Sequence, residues 1–146
     1  MFRTDGAADD LPRVVWADFG RRPRALVLAP GERAVPLNTC YVSRCTDPDD
    51  ARTLAAVLNS SLAAAWLNAV AEPARGGFRR YLAWTMARLP LPRDWTHARC
   101  ILAPLVAEFE DRQDRDGPPQ HLLDQAVVAA YRVAPASMEP LLTWAG

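Results

Sequence analysis

The chain contains no lysine: all seventeen basic residues are arginine, balanced by seventeen acids to a formal net charge of zero. Any anion-holding surface must therefore be built from planar guanidinium groups rather than ammonium point charges. Glycine-rich phosphate loops are missing too. Neither GxG nor GxxxxGK[ST] occurs, which removes the usual backbone cradle for nucleotide phosphates. There is no GxSxG elbow, no HExxH and no close Cys/His pair, so nucleophilic and metal-assisted hydrolysis lack an apparatus. Cys40, Cys45 and Cys100 form an odd set without tight spacing, and His97 and His121 lie far downstream. This is a poor zinc pattern, and the residues read as core or surface groups of a reduced, cytoplasmic chain with no metal. The opening "MFRTDGAADD" lacks the basic, apolar and small-residue zones of a secretory signal.

What is present suffices for one compact domain: 146 residues, half of them hydrophobic, with five tryptophans. No period of 20 to 50 residues repeats. Residues 1–10 read as a flexible leader and 11–146 as a single domain whose charge is unevenly spread. Residues 11–93 carry twelve arginines against six acids, a net +6, while 94–146 carry four against eight, a net −4. An anionic partner belongs on the basic part. The stretch "LAAVLNSSLAAAWLNAVA", residues 54–71, has the length of a membrane span but contains Asn59, Ser60, Ser61 and Asn68. It reads as a buried helix broken at Asn59–Ser61, with no membrane partner.

Three short β-branched and aromatic runs, "RVVWADF", "RALVLAP" and "LNTCYVSRC", predict three strands. "TDPDDARTLAAVLNSS" predicts a helix capped by Thr46 or Asp47, with Pro48 in the first turn and Asp49 and Asp50 at the favourable end of the dipole. "RGGFRRY" follows as a glycine-hinged loop or short strand. Pro90 and Pro92 then mark a boundary. Beyond it the pattern is helical: "THARCILAPLVAEFEDRQ", in which Pro104 implies a late start or a kink, then the charged linker "DRQDRDGPP", "PQHLLDQAVVAAYRV" and "PASMEPLLTW". The fold class is α+β: a small N-terminal sheet, a central helical segment and a helical C-terminal third.

With catalysis unsupported, the segment "PARGGFRRYLAW" reads as a binding element. Arg75, Arg79 and Arg80 suit phosphates or guanine edges, Phe78, Tyr81 and Trp84 can support or stack, and Gly76–Gly77 permits a sharp turn or a close approach. A second reading, with Phe78 and Trp84 in the core and only the arginines exposed, stands beside it.

Five stretches in order, "VVWADFGRRPRALVL", "VPLNTCYV", "LAAVLNSSLAAAWL", "ARGGFRRYLAWTMARLPLP" and "LLDQAVVAAYRV", resemble the TaqI-like C-terminal target-recognition (specificity) domain of adenine-specific DNA methyltransferases of restriction–modification systems. In that family the corresponding pieces are an Arg-bearing strand pair, an Asn-x-x-Tyr strand, an "LLNS" helix, an "RGGYxR" segment ending in "LPIP", and a terminal "iDxxVxxLYgL" helix. The resemblance covers residues 12 to about 134. It implies a domain that approaches the major groove and helps select the site, while a separate catalytic domain flips out and methylates an adenine from S-adenosylmethionine. By that resemblance the DNA-contacting set is Arg21, Arg22 and Arg24 near the strand turn, Asn38 and Tyr41 on the third strand, and Arg75, Arg79 and Arg80. Phosphate contact is the first expectation for the arginines. For Asn38 and Tyr41 two readings stand open: base contact, or one satisfying a turn and the other packing in the core.

The sequence departs from the family in two ways. The Asn/Asp-Pro-Pro-Tyr motif and the Gly-rich cofactor loop are absent, the sole Pro-Pro being Pro118–Pro119 before Gln120; and Arg132 stands where the terminal helix usually has glycine. The expectation is a chain that binds double-stranded DNA, carries no cofactor and is not an enzyme on its own, with S-adenosylmethionine on a separate methyltransferase subunit. The rival readings are a module that docks onto such a subunit through "LAAVLNSSLAAAWL" and the acidic helices, or a truncated remnant. DNA binding should weaken steeply with salt, whereas apolar docking should not.

Overall fold

The computed structural model describes residues 10–112 and 117–144; the leader, except Asp10, and the middle of the charged linker lie outside them. Strand β1 (Arg13–Ala17) is the centre of a three-stranded antiparallel sheet, between β3 (Ala25–Leu28) and β4 (Cys40–Arg44). These are the three strands expected from the sequence. Alternation decides their faces. Val14 and Trp16 turn inward and are buried, while Val15 sits between Leu26 and Val42 on the other face. Arg13 shares that outer face and is nonetheless fully buried. The loop after β3 folds over it, and its guanidinium donates to the carbonyls of Glu32 and Ala34. Buried charge is tolerated there because acceptors are supplied.

Helix α1 (Pro48–Asn59) starts as the sequence predicts, with Asp47 as its cap accepting from the N–H groups of Asp49 and Asp50. The Asp50 amide, and more weakly Arg99, hold the Asp47 carboxyl below its ordinary value. Helix α2 (Ser61–Val70) follows after a bend of 63°, so the break falls where the polar residues interrupt the apolar run. No described helix is by itself long and apolar enough to cross a membrane.

Each polar side chain at this joint is used. Asn59 Oδ1 accepts from the N–H of Ala25 at 2.7 Å and its Nδ2 donates to the same residue's carbonyl at 2.9 Å. The amide thus takes the place of a neighbouring strand residue on the β3 edge. Ser60 Oγ accepts from the Ala63 N–H and donates to the Val57 carbonyl, capping α2 while closing α1.

Helix α3 (Ala83–Met86) is one short turn before the proline boundary. Helix α4 (Trp95–Asp111) begins at the cap Asp94 and runs through Pro104, so it does not start late. It lies along α1, with Ala98 and Leu102 buried against it and Arg99 reaching the Asp47–Asp50 turn. Helices α5 (Gln120–Ala130) and α6 (Pro135–Trp144) complete the helical C-terminal part, and the fold is α+β. Asp124 of α5 accepts from the Ser61 N–H at 2.7 Å, and Tyr131 donates to the Pro90 carbonyl at 2.7 Å. Arg132 occupies the left-handed region (φ 54°) and pairs with Asp94 at 3.2 Å, so the turn after Tyr131 forms without glycine. One core joins the basic and acidic halves, running from Val14 and Trp16 through α1 to Leu102 and Val127.

Replacing Asn59 with alanine leaves a part-buried N–H and C=O on Ala25 without their side-chain partner. The expected loss is about 2–4 kcal/mol of stability, measured by urea unfolding; a loss under about 0.5 kcal/mol would show that the amide is not a strand substitute.

Candidate nucleic-acid interface

A second, smaller sheet carries Arg79 and Arg80, with Arg21 and Arg75 in the segments that adjoin its strands. It consists of three two-residue strands, β2 (Phe19–Gly20), β5 (Glu72–Pro73) and β6 (Arg79–Arg80), with β6 in the middle and all pairs antiparallel. The chain passes from one sheet to the other at Asp18. Its N–H donates to the Thr39 carbonyl beside β4 (2.9 Å), and its carbonyl accepts from the Tyr81 N–H (2.7 Å). The Trp16 indole donates to the Tyr81 carbonyl at 3.2 Å.

The glycine pair makes the β5–β6 turn. Gly76 and Gly77 both have positive φ, at 76° and 77°, inside a short 3-10 turn (Arg75–Gly77) closed by the Ala74 N–H on the Phe78 carbonyl. A side chain at either position would be strained. Gly20 is required for another reason: a Cβ there would meet the Arg22 carbonyl oxygen at 3.0 Å and the Tyr81 ring at 3.5 Å.

Register separates the arginines. Phe19, Arg80 and Glu72 form one cross-strand row, and Gly20, Arg79 and Pro73 the next, so Arg79 and Arg80 point to opposite faces. Phe78 belongs with Arg80: its ring stacks on Phe19, with centroids 4.6 Å apart and planes 6° from parallel, and the Arg21 guanidinium lies 5.5 Å from its centroid. Phe19, Arg21, Phe78 and Arg80, with Glu72 opposite Arg80, thus make the outer face. On the inner side Arg22 donates to Ser61 Oγ at 3.0 Å, and Arg79 and Arg22 stand close enough to Tyr81 to oppose the rise in its pKa.

The remaining predicted residues are placed elsewhere. Arg75 is exposed in the turn. Arg24, with Arg22, lines a cleft of about 530 Å³ between β3, α1 and α4, away from the outer face. Asn38 is not on the third strand but in the exposed turn before it. Tyr41 is on that strand, directly opposite Trp16, and its ring stacks on Trp16 with centroids 5.9 Å apart. Its packing role is therefore the one the geometry displays. Among the aromatics of the segment, Tyr81 is the core residue, at 1% exposure, while Trp84 is 51% exposed, contrary to the reading that buried Trp84. Phe19, 47% exposed, was not singled out in the sequence; the signal was the Asp-Phe-Gly break after the alternating β1 run.

Charge partners divide the arginines into two groups. Arg44, Arg52, Arg99, Arg112 and Arg132 are each in ion pairs with carboxylates. Among the described residues no carboxylate lies within 4 Å of Arg21, Arg24, Arg75, Arg79 or Arg80; the same holds of Arg33, Arg88 and Arg93, outside the small sheet. The described residues bring no three His, Cys, Asp or Glu side chains together as a metal site. No known protein family matches the chain, and no curated protein matches it.

Burial pushes the phenols of Tyr81 and Tyr131 up to about 12. The folded state holds these protons more tightly than the unfolded chain, whose tyrosines titrate near pH 10. The resulting stabilisation is present below about pH 10 and is lost as pH rises towards 12. Tyrosinate absorbance from these two residues should therefore be absent from the folded chain at pH 10 and appear as pH nears 12 or as the chain unfolds; their ionisation at pH 10 in a folded chain would contradict the burial.

Proposed function

We propose that this chain is the DNA target-recognition part of an adenine-specific methylation system, selecting a site while a separate subunit carries out the transfer. The observation that carries the reading is the outer face of the small sheet. It displays Arg21 and Arg80, which have no carboxylate within 4 Å among the described residues, beside a stacked aromatic pair on which one of them rests. A short β-ribbon fits the width of the B-DNA major groove, and its turn, with Arg75, is the natural leading edge. Phosphate contacts from Arg75 and Arg80 would set position, with sequence read from between them.

The chemistry is assigned to a second chain that brings S-adenosylmethionine and the pocket for the flipped adenine. The residues here do not fit that role. Pro118–Pro119 precedes Gln120, whose side-chain amide is already engaged with the Asn59 carbonyl and Asp124 in bracing the α1–α2 joint. Of the surface proposed for the docking alternative, Ala55–Leu58, Leu62–Ala65 and Leu67 are buried within the chain itself, which leaves the acidic helices to carry that reading.

Binding of the chain to duplex DNA, followed by fluorescence anisotropy across a salt series, tests the reading. The double variant Arg75→Ala/Arg80→Ala should bind more weakly, with a salt slope smaller by about one per lost phosphate contact. Arg44→Ala/Arg112→Ala removes equal charge from ion-paired sites and should leave binding nearly unchanged. Equal losses from both pairs would mean that affinity follows bulk charge; salt-insensitive binding, or none, would remove DNA from the account.

A further inference from the structure

Within the DNA-recognition reading, on which this inference rests, the arginines are not equivalent. We infer that Arg21 is the base-reading residue of the outer face and that it reads guanine, so that a G·C pair stands at one fixed position of the preferred site. Arg22, its neighbour, is held inward by Ser61 Oγ. Arg80 stands in register with Glu72. Arg75 sits at the tip of the turn. Arg21 alone among these has an aromatic support: its guanidinium lies over Phe78, and Phe78 is backed by Phe19 in a nearly parallel stack.

The chemistry of that support points to base readout. A phosphate contact requires a positive charge within reach and tolerates a mobile side chain. Bidentate recognition of guanine requires the guanidinium plane to be held so that two parallel N–H groups meet O6 and N7 together. A ring against the guanidinium limits its rotamers before DNA arrives and leaves the N–H edge free, reducing the ordering cost of binding. The other cation–aromatic pair among the described residues, Arg112 over Phe109, lacks that freedom because Glu108 holds its guanidinium. Among the described residues no carboxylate holds Arg21. The support is also anchored: Phe19 begins the strand that Asp18 ties to both sheets, and Phe78 closes the glycine turn through its carbonyl.

The experiment is selection of duplexes from a random-sequence pool by the full chain, for the wild type and Arg21→Lys, followed by affinity measurement on the selected site with 7-deazaguanine in place of each guanine. The wild type should enrich a site with one invariant G, and 7-deaza substitution at that G alone should cost about tenfold to a hundredfold in affinity. Arg21→Lys, which keeps the charge, should enrich a site degenerate at that position, be indifferent to 7-deazaguanine there and retain the wild-type salt slope. Phe78→Leu, checked for folding by circular dichroism, should weaken the preference for that G without altering the salt slope. Selection of the same site by Arg21→Lys, or duplex binding by the wild type without any preferred G, would overturn the assignment of Arg21 and leave DNA binding in place. Failure of the wild type to bind duplex DNA at all would overturn both.

Discussion

The backbone of Asp18 is claimed from two sides, and the proposed interface depends on it. Its N–H donates to the Thr39 carbonyl just before β4, and its C=O accepts from the Tyr81 N–H just after β6. Strands of two residues have too few ladder bonds to stand alone in water. The small sheet persists because its centre is pinned at Asp18 and because Tyr81, next to β6, is buried and receives the Trp16 indole on its carbonyl. Positioning of Phe19, Arg21, Phe78 and Arg80 is thereby inherited from the core of the larger sheet rather than generated by the ribbon itself.

The joint at Asn59–Ser61 does a comparable service for the scaffold. An amide that completes the β3 edge, a hydroxyl that caps α2 and a carboxylate from α5 on the Ser61 N–H bring sheet, central helices and C-terminal helices to one point. The chain passes from a strand-rich to a helical part without a second core because polar groups, not apolar ones, specify this bend. Substitutions there should be felt throughout the fold, whereas the exposed groups on the outer face of the ribbon can change at little structural cost.

Much of this was legible in the sequence, and what was not has physical causes. The three longer strands announced themselves by β-branched and aromatic runs, the start of α1 by Asp47 and Pro48, and the bend by Asn-Ser-Ser within an apolar stretch. The ribbon could not be read in the same way: two-residue strands contain no alternation, so β2 was invisible and the opposite orientation of Arg79 and Arg80 emerged only from register. The burial of Arg13 could not be read, because its acceptors are backbone carbonyls from a loop some twenty residues on, which leave no trace in composition. Tyr81 and Trp84 carry the same pattern signal, and only tertiary packing decided which was buried. Arg132 adopts a left-handed backbone that glycine would adopt more easily, with the Asp94 pair as its compensation.

The most direct measurement is hydrogen exchange of the chain with and without duplex DNA, read by mass spectrometry over overlapping peptides. If the ribbon is the interface, DNA slows exchange in peptides spanning residues 19–22 and 74–80 and leaves those of α4 and the Asp47–Asp50 turn unchanged. Protection confined to α4 and α5, or absent from the ribbon while DNA is bound, would contradict the account.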